Sequence, residues 1–200
     1  MRKPNPASQA AQRGYLIAAA RRCFARAGFD GTSTEAVRIE AATSTGKLFH
    51  YFPNKKALIL AVVEEHHRQT LSWLETLEKK ADVGQALRDL LAGVIAAAAD
   101  PLERRLVLEI AAAASRDASI ANLSAETDMA MMQTIAALIR RHEKPFLLPS
   151  ERMAALLSTW IDGVFSRAGS DPGFDLPAMK ITIDELLVIL AGQQEGRNHA

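Results

Sequence analysis

Thr32 to Phe52, TSTEAVRIEAATSTGKLFHYF, constrains this 200-residue chain more than any other stretch, because Pro53 follows at once. Proline lacks a backbone donor and clashes with the preceding turn, so any helix before it must end there. Two short helical patterns fit in the space. Thr32, Ser33 and Thr34 can each cap a helix running through Ala41, and a second helix covers about Thr45 to Tyr51 after the tight turn Ala42-Thr43-Ser44. Two short helices joined by three or four residues make a helix-turn-helix, whose second member is sized for the major groove of DNA.

The charge distribution points the same way. Residues 1–56 hold ten Lys/Arg and three Asp/Glu, a balance of +7, whereas residues 57–200 hold fourteen and twenty, a balance of −6. A basic quarter on an acidic remainder is the pattern of a polyanion-binding head on a body with another task. Hydrophobic residues at 48% supply a sizeable core. Strand signals are nearly absent and Ala-rich runs recur at 96–99 and 111–114, so the expected class is all-α with closely packed helices.

The single cysteine, Cys23, excludes an intramolecular disulfide framework and reads as a small core residue. Arg2 and Lys3 are not followed by an apolar segment, and the longest apolar run, Leu90 to Ala99, is too short to span a bilayer. A soluble intracellular protein with no membrane partner is expected.

In chain order, residues 1–7 are expected to form a disordered basic arm. Leu16, Ile17, Ala20, Phe24 and Ala27 then define a first helix from about Ser8, ended by Gly28 in the left-handed region. A long helix follows from Lys55 to about Lys80, then helices at Val83–Ala99, Pro101 to about Arg116, and Ala118–His142. Residues 144–149 read as a loop and Ser150 as the cap of an eighth helix. There Met153, Leu156, Leu157, Trp160, Ile161, Val164 and Phe165 recur without a miss at helical spacing. Asp175 caps a ninth helix, Ala178–Ala191, whose apolar residues are too many for one stripe.

These residues carry a family resemblance. Arg13, Leu16-Ile17, Ala19-Ala20, Phe24, Gly28-Phe29, Thr32 to Thr34, Val37, Ala41, Ser44, Gly46, Leu48 to Pro53, Lys55 and Ala57-Leu58 together resemble the N-terminal domain of the TetR family of transcriptional regulators. The resemblance implies a nine-helix, TetR-like, all-α architecture. Residues 8–54 would form a three-helix DNA-binding head with the helix-turn-helix at 33–52, and residues 55–192 a helical body for effector binding and dimerisation. A disordered tail would occupy 193–200. Three positions depart from the family: Arg38 stands where a small apolar residue is usual, Ala42-Thr43 where Gly-Val is usual, and Phe49 where Tyr is usual. The expectation for Arg38 is a guanidinium at the surface beside the DNA backbone. Phe49 lacks a hydroxyl for phosphate, so any contact there is apolar.

For DNA, the expected contact residues are Ser33, Thr34, Thr43, Ser44, Thr45, Gly46, Lys47, Phe49, His50, Tyr51 and Lys55. Small hydroxyls and free amides suit phosphate, Lys47 can donate to guanine O6 and N7, and Leu48 and Phe52 turn inward. A head this small reads few base pairs, so a homodimer on a palindromic double-stranded operator is expected. Met153, Leu157, Trp160, Ile161, Val164, Ile183, Leu187 and Leu190 are its expected dimerisation residues. The resemblance further implies a cytoplasmic, bacterial repressor released from its operator by a small molecule. Trp73, Met129, Met131, Met132, Trp160 and Phe165 could line an effector cavity but read more simply as core, leaving no effector-binding residue assigned.

Two rivals remain. One is a DNA-binding dimer without an effector. The other is an all-α metalloenzyme built on Glu64-x-x-His67, which lacks the second Glu-x-x-His such sites need and so reads as a solvated helix face. No nucleophile–base ordering, Gly-rich phosphate loop or Cys/His ligand spacing occurs, so no catalytic residue, metal or cofactor is expected.

Overall fold

The computed structural model describes residues 6–143 and 146–192, with the backbone only of 186–192. Among the described residues there are nine α-helices and no strand: α1 Pro6–Gly31, α2 Thr34–Glu40, α3 Thr45–Tyr51, α4 Lys55–Glu78, α5 Val83–Ala99, α6 Pro101–Ala114, α7 Ala118–Arg141, α8 Ser150–Ser170 and α9 Leu176–Gly192. Helix order and turns agree with the sequence reading. Two starts do not. Pro6 and Ala7 are already helical rather than part of an arm, since proline is well suited to a first turn. Ser150 is the first residue of α8 and not its cap; Pro149 holds the cap position and Ser150 Oγ donates to Glu151 instead. The rest of the expected arm, part of the 144–149 loop and the expected tail lie outside the described residues.

The helices gather into two compact units, Met1–Arg68 with Arg105–Ser124, and Gln69–Arg104 with Ala125–Ala200. The first unit therefore reaches past the boundary expected at residue 54. The reason lies in its core: Leu58, Ala61, Val62, Leu106, Ile110 and Ile120 are buried in one cluster with Leu16, Phe24, Val37, Leu48 and Phe52. A head of three short helices has too little apolar surface to bury by itself. With these additions it holds thirteen Lys/Arg and seven Asp/Glu, a balance of +6, so it remains basic.

Within α1 the helical path breaks at Gly28, whose φ of 75° and ψ of 169° suit a residue without Cβ. The broken turn is closed from α6. Phe29 N–H donates to Glu109 Oε2 at 2.9 Å, and Glu109 Oε1 would lie 2.9 Å from any Cβ placed on residue 28. Thr32 Oγ1, buried, lies 2.8 Å from the Gly28 carbonyl and 3.1 Å from that of Cys23. Cys23 itself is buried, as its place on the apolar side of α1 predicts.

In the second unit α5 packs on α8 and α9. Its buried stripe is Ala86, Leu87, Leu90, Leu91, Val94, Ile95 and Ala98. The α5 backbone comes close to Trp73, whose Cζ2 would sit 2.6 Å from a Cβ on Gly93. Asp175 caps α9 by accepting from Ala178 N, as expected, and Asp82 likewise caps α5 by accepting from Gln85 N. Arg141 donates to the carbonyls of Glu78 and Lys80 and so closes the end of α4.

Candidate nucleic-acid interface

Helix α2 is positioned by acids that carry most of the local charge pairing. Ser33 caps it, its Oγ accepting from Ala36 N at 3.0 Å. Glu40, at its far end, accepts from Arg22 Nε at 2.7 Å and from Arg26 on α1. Those two hydrogen bonds hold its carboxyl below the ordinary carboxylate range. Glu40 lies 18 and 14 residues from its partners, a separation that no sequence pattern flags.

Arg38 is half-buried, with its guanidinium engaged within the protein. Its Nε and Nη2 donate to Glu35 at 2.7 and 2.6 Å, and its Nη1 donates to the Thr43 carbonyl at 3.1 Å. Glu35 and Arg38 are three residues apart on one helix, a spacing at which such pairs meet, so this part was available from sequence.

Helix α3 presents the expected face. Leu48 is buried and Phe52 just after the helix is buried too, while Ser44, Thr45, Gly46, Lys47, Phe49 and His50 are exposed. A Cβ on Gly46 would meet nothing, so the backbone there is open to a close approach. Ser44 caps α3 by accepting from Lys47 N at 3.2 Å, and a hydroxyl that accepts can still donate to phosphate. His50 and Tyr51 meet edge to face, with Tyr51 half-buried against the core of the unit.

Three residues expected at DNA are placed differently. Thr43 Oγ1 is buried and has no hydrogen-bond partner among the described residues, so its hydroxyl is turned away from the surface. Lys55 Nζ donates to the Asp30 carbonyl at 2.9 Å and ties the start of α4 to the end of α1. Thr34 is half-buried in the first turn of α2. Lys56, next to Lys55, pairs with Asp117 at 2.6 Å. His66, half-buried in the same unit, is pushed down to about 4 by burial and by Arg21 and His67, so near pH 7 it is neutral and adds nothing to the basic charge.

The family model for bacterial regulatory proteins of the tetR family matches residues 16–62, which span this interface. A repressor from Mycobacterium tuberculosis, the HTH-type transcriptional repressor Rv1474c, is 28% identical over 170 residues, covering 82% of this chain and 86% of its own. Residues 16–62 therefore match the DNA-binding domain of the tetR family, and the chain is similar to a transcriptional repressor over most of its length. Among solved structures, Salmonella enterica GusR is 27% identical with a TM-score of 0.69, covering 96% of this chain and 98% of its own. A regulator from Saccharomonospora viridis in complex with choline reaches a TM-score of 0.80 at 20% identity, covering 90% of this chain and 96% of its own, and so shares the fold.

In the second unit most of the expected dimerisation residues are turned into the chain's own core. Met153, Leu157, Ile161, Val164 and Ile183 are 0–8% exposed within one chain, so they pack into its own core. Trp160 is half-buried, and the side chains of Leu187 and Leu190 lie outside the described residues. Among the described residues, the large apolar side chains that α8 and α9 expose are Leu156 at 50% and Ile181 at 60%. Nor do the bulky residues weighed for an effector cavity converge: Met129 is exposed, Phe165 is core, and Trp73 covers Gly93. A cleft of about 170 Å³ between α4 and α7 is lined instead by Leu71, Leu74, Glu75, Glu78, Ala130, Gln133 and Thr134. Among the described residues no cluster of three or more His, Cys, Asp or Glu side chains is placed to hold a metal, and no helix is long and apolar enough to cross a membrane.

Proposed function

We propose that two copies of this chain present their α3 helices to the half-sites of a palindromic operator and repress transcription until a small molecule bound in the second unit releases them. The observation that carries the DNA-facing part is the division of α3: Leu48 fixes it to the core while Ser44, Thr45, Gly46, Lys47, Phe49 and His50 stand outward on one short helix. Lys47 is the base-reading group of this set, Ser44 and Thr45 donate to phosphate, and the Phe49 ring makes an apolar contact. Thr43 and Lys55 leave the set, since one hydroxyl is buried and one ammonium is engaged within the protein.

Repression is supported by the printed role of the Mycobacterium relative, and a small-molecule effector by the choline bound to the Saccharomonospora protein. An effector has only to bind the DNA-incompetent arrangement more tightly than the competent one. Footprinting of the chain's own promoter region, followed by mobility shift on the protected duplex, tests the reading. Lys47→Ala weakens binding to that duplex by about 1–3 kcal/mol, and an unchanged affinity removes Lys47 from the interface. A metabolite panel scored first by melting temperature and then by loss of operator binding separates an effector-released repressor from a DNA-binding dimer without one.

A further inference from the structure

We infer that Arg38 is a positioning residue for DNA recognition: its guanidinium, braced by Glu35, grips the Thr43 carbonyl and holds the turn between α2 and α3 in a conformation that Ala42 resists. The inference rests on the DNA-binding reading above and concerns how this chain orients the helix that does the reading.

The turn is a helix-ending motif whose key position is filled by an unfavourable residue. Ala42 N donates to the Ile39 carbonyl at 3.0 Å and Thr43 N to the Arg38 carbonyl at 3.1 Å, the paired bonds of a Schellman cap. Such caps place a left-handed residue where the helix ends, and glycine is the usual occupant because it has no Cβ. Here Ala42 takes that place at φ 43°, the one positive-φ residue other than glycine among those described. A Cβ in this region crowds the following carbonyl, so the turn is held against a local preference for another backbone path.

Arg38 opposes that preference from both sides. Its backbone carbonyl accepts from the Thr43 N–H, and its Nη1 donates to the Thr43 carbonyl, so one residue holds both ends of residue 43. Glu35 takes Nε and Nη2 in a two-point pair, which fixes the plane of the guanidinium and neutralises its charge. The next residue, Ser44, caps α3. The direction in which α3 leaves the turn is thus set by the peptide that Arg38 grips. Thr43 Oγ1, buried without a partner, gives the turn no hold of its own.

A phosphate-contacting Arg38 and a positioning Arg38 differ in sign at several variants. The probes are a duplex selected by the wild-type protein from a random pool and a scrambled duplex of equal length, read by anisotropy across a salt series. For a positioning residue, Arg38→Ala weakens the selected duplex about tenfold and leaves the scrambled duplex and the salt slope unchanged. Arg38→Lys behaves like Arg38→Ala, because an ammonium cannot bridge Glu35 and a carbonyl with a planar fork. Glu35→Gln weakens the selected duplex in the same direction. Ala42→Gly in the Arg38→Ala background restores affinity to within about threefold, since glycine accepts the turn unaided.

The inference is overturned if Arg38→Ala weakens both duplexes alike and lowers the salt slope by about one contact, if Glu35→Gln tightens binding by freeing a charge, or if Ala42→Gly fails to rescue. Should Arg38→Ala lose helical circular dichroism at the assay temperature, Glu35→Gln and Arg38→Lys carry the same test. A wild-type protein that selects no duplex refutes the DNA-binding reading instead. In that case a melting-temperature cycle on Arg38→Ala and Ala42→Gly still decides whether the two residues are coupled.

Discussion

Helices α3 and α8 were both read from spacing, and the structure treats the two readings in opposite ways. On α3, Thr45, Gly46, Lys47, Phe49 and His50 stand outward as expected, Tyr51 is half-buried against the core, and Leu48 alone of the helix is fully buried. On α8, the residues expected to meet a second copy are Met153, Leu157, Ile161 and Val164, and these are the ones its own chain buries. Spacing identifies a stripe that must be covered; it does not say by what. A seven-residue helix with one buried position has little to cover, so its remaining residues are free for a partner. A 21-residue helix with a full apolar stripe fills its own core first, and a partner can use only what is left over.

The comparison breaks most sharply at Leu157 and Leu156, adjacent residues on opposite sides of α8. Leu157→Ala should cost about 2–5 kcal/mol of protomer stability and lower the melting temperature by several degrees. If it only dissociated a dimer and left the melting temperature of dilute protein unchanged, Leu157 would be an interface residue after all. Leu156→Asp with Ile181→Asp is the complementary change. Both are exposed, so folding should survive, while a dimer using this face should weaken at least about tenfold, visible by light scattering over a dilution series. A dimer of unchanged strength would move the interface elsewhere.

On the head side, the Glu40 clamp can be separated from the rest by acid. Its carboxyl titrates lower when folded than when unfolded, so its stabilising effect is present above its ordinary value of 4.5 and is lost as pH falls below it. Glu40→Gln should therefore lower the melting temperature near neutral pH and narrow its gap to wild type in acid. A gap that stays constant with pH would mean that Arg22 and Arg26 contribute nothing through charge. The smallest change expected is at Thr43. Thr43→Val removes a buried hydroxyl without a partner and should leave stability equal or raise it by about 1 kcal/mol, with operator affinity intact. Lost affinity would return Thr43 to the DNA-contact set.

Much of the fold was legible because helix ends leave strong local marks. Gly28, Ser33, Ser44, Pro53 and Asp175 mark ends that the structure repeats. The DNA-facing side of α3 was legible for the same reason: a proline downstream and a cap upstream leave no room for another register. What spacing could not supply were the long-range acids. Glu40, Glu109 and Asp117 each organise the first unit, yet each meets its partner across 14 to 80 residues of sequence or through another helix. Two of these acids hold nearby cations, Glu40 those of Arg22 and Arg26 and Asp117 that of Lys56, while Lys55, expected at phosphate, is held by the Asp30 carbonyl.

The contact between Gly28 and Glu109 has a genetic consequence. Residue 28 is restricted twice, by a φ of 75° that disfavours any side chain and by a carboxylate oxygen 2.9 Å from where its first carbon would stand. Shortening Glu109 clears the space but forfeits the acceptor for Phe29 N–H and leaves the backbone penalty untouched. A defect from Gly28→Ala therefore has no complete suppressor at position 109. Revertants should restore glycine far more often than they change its neighbour.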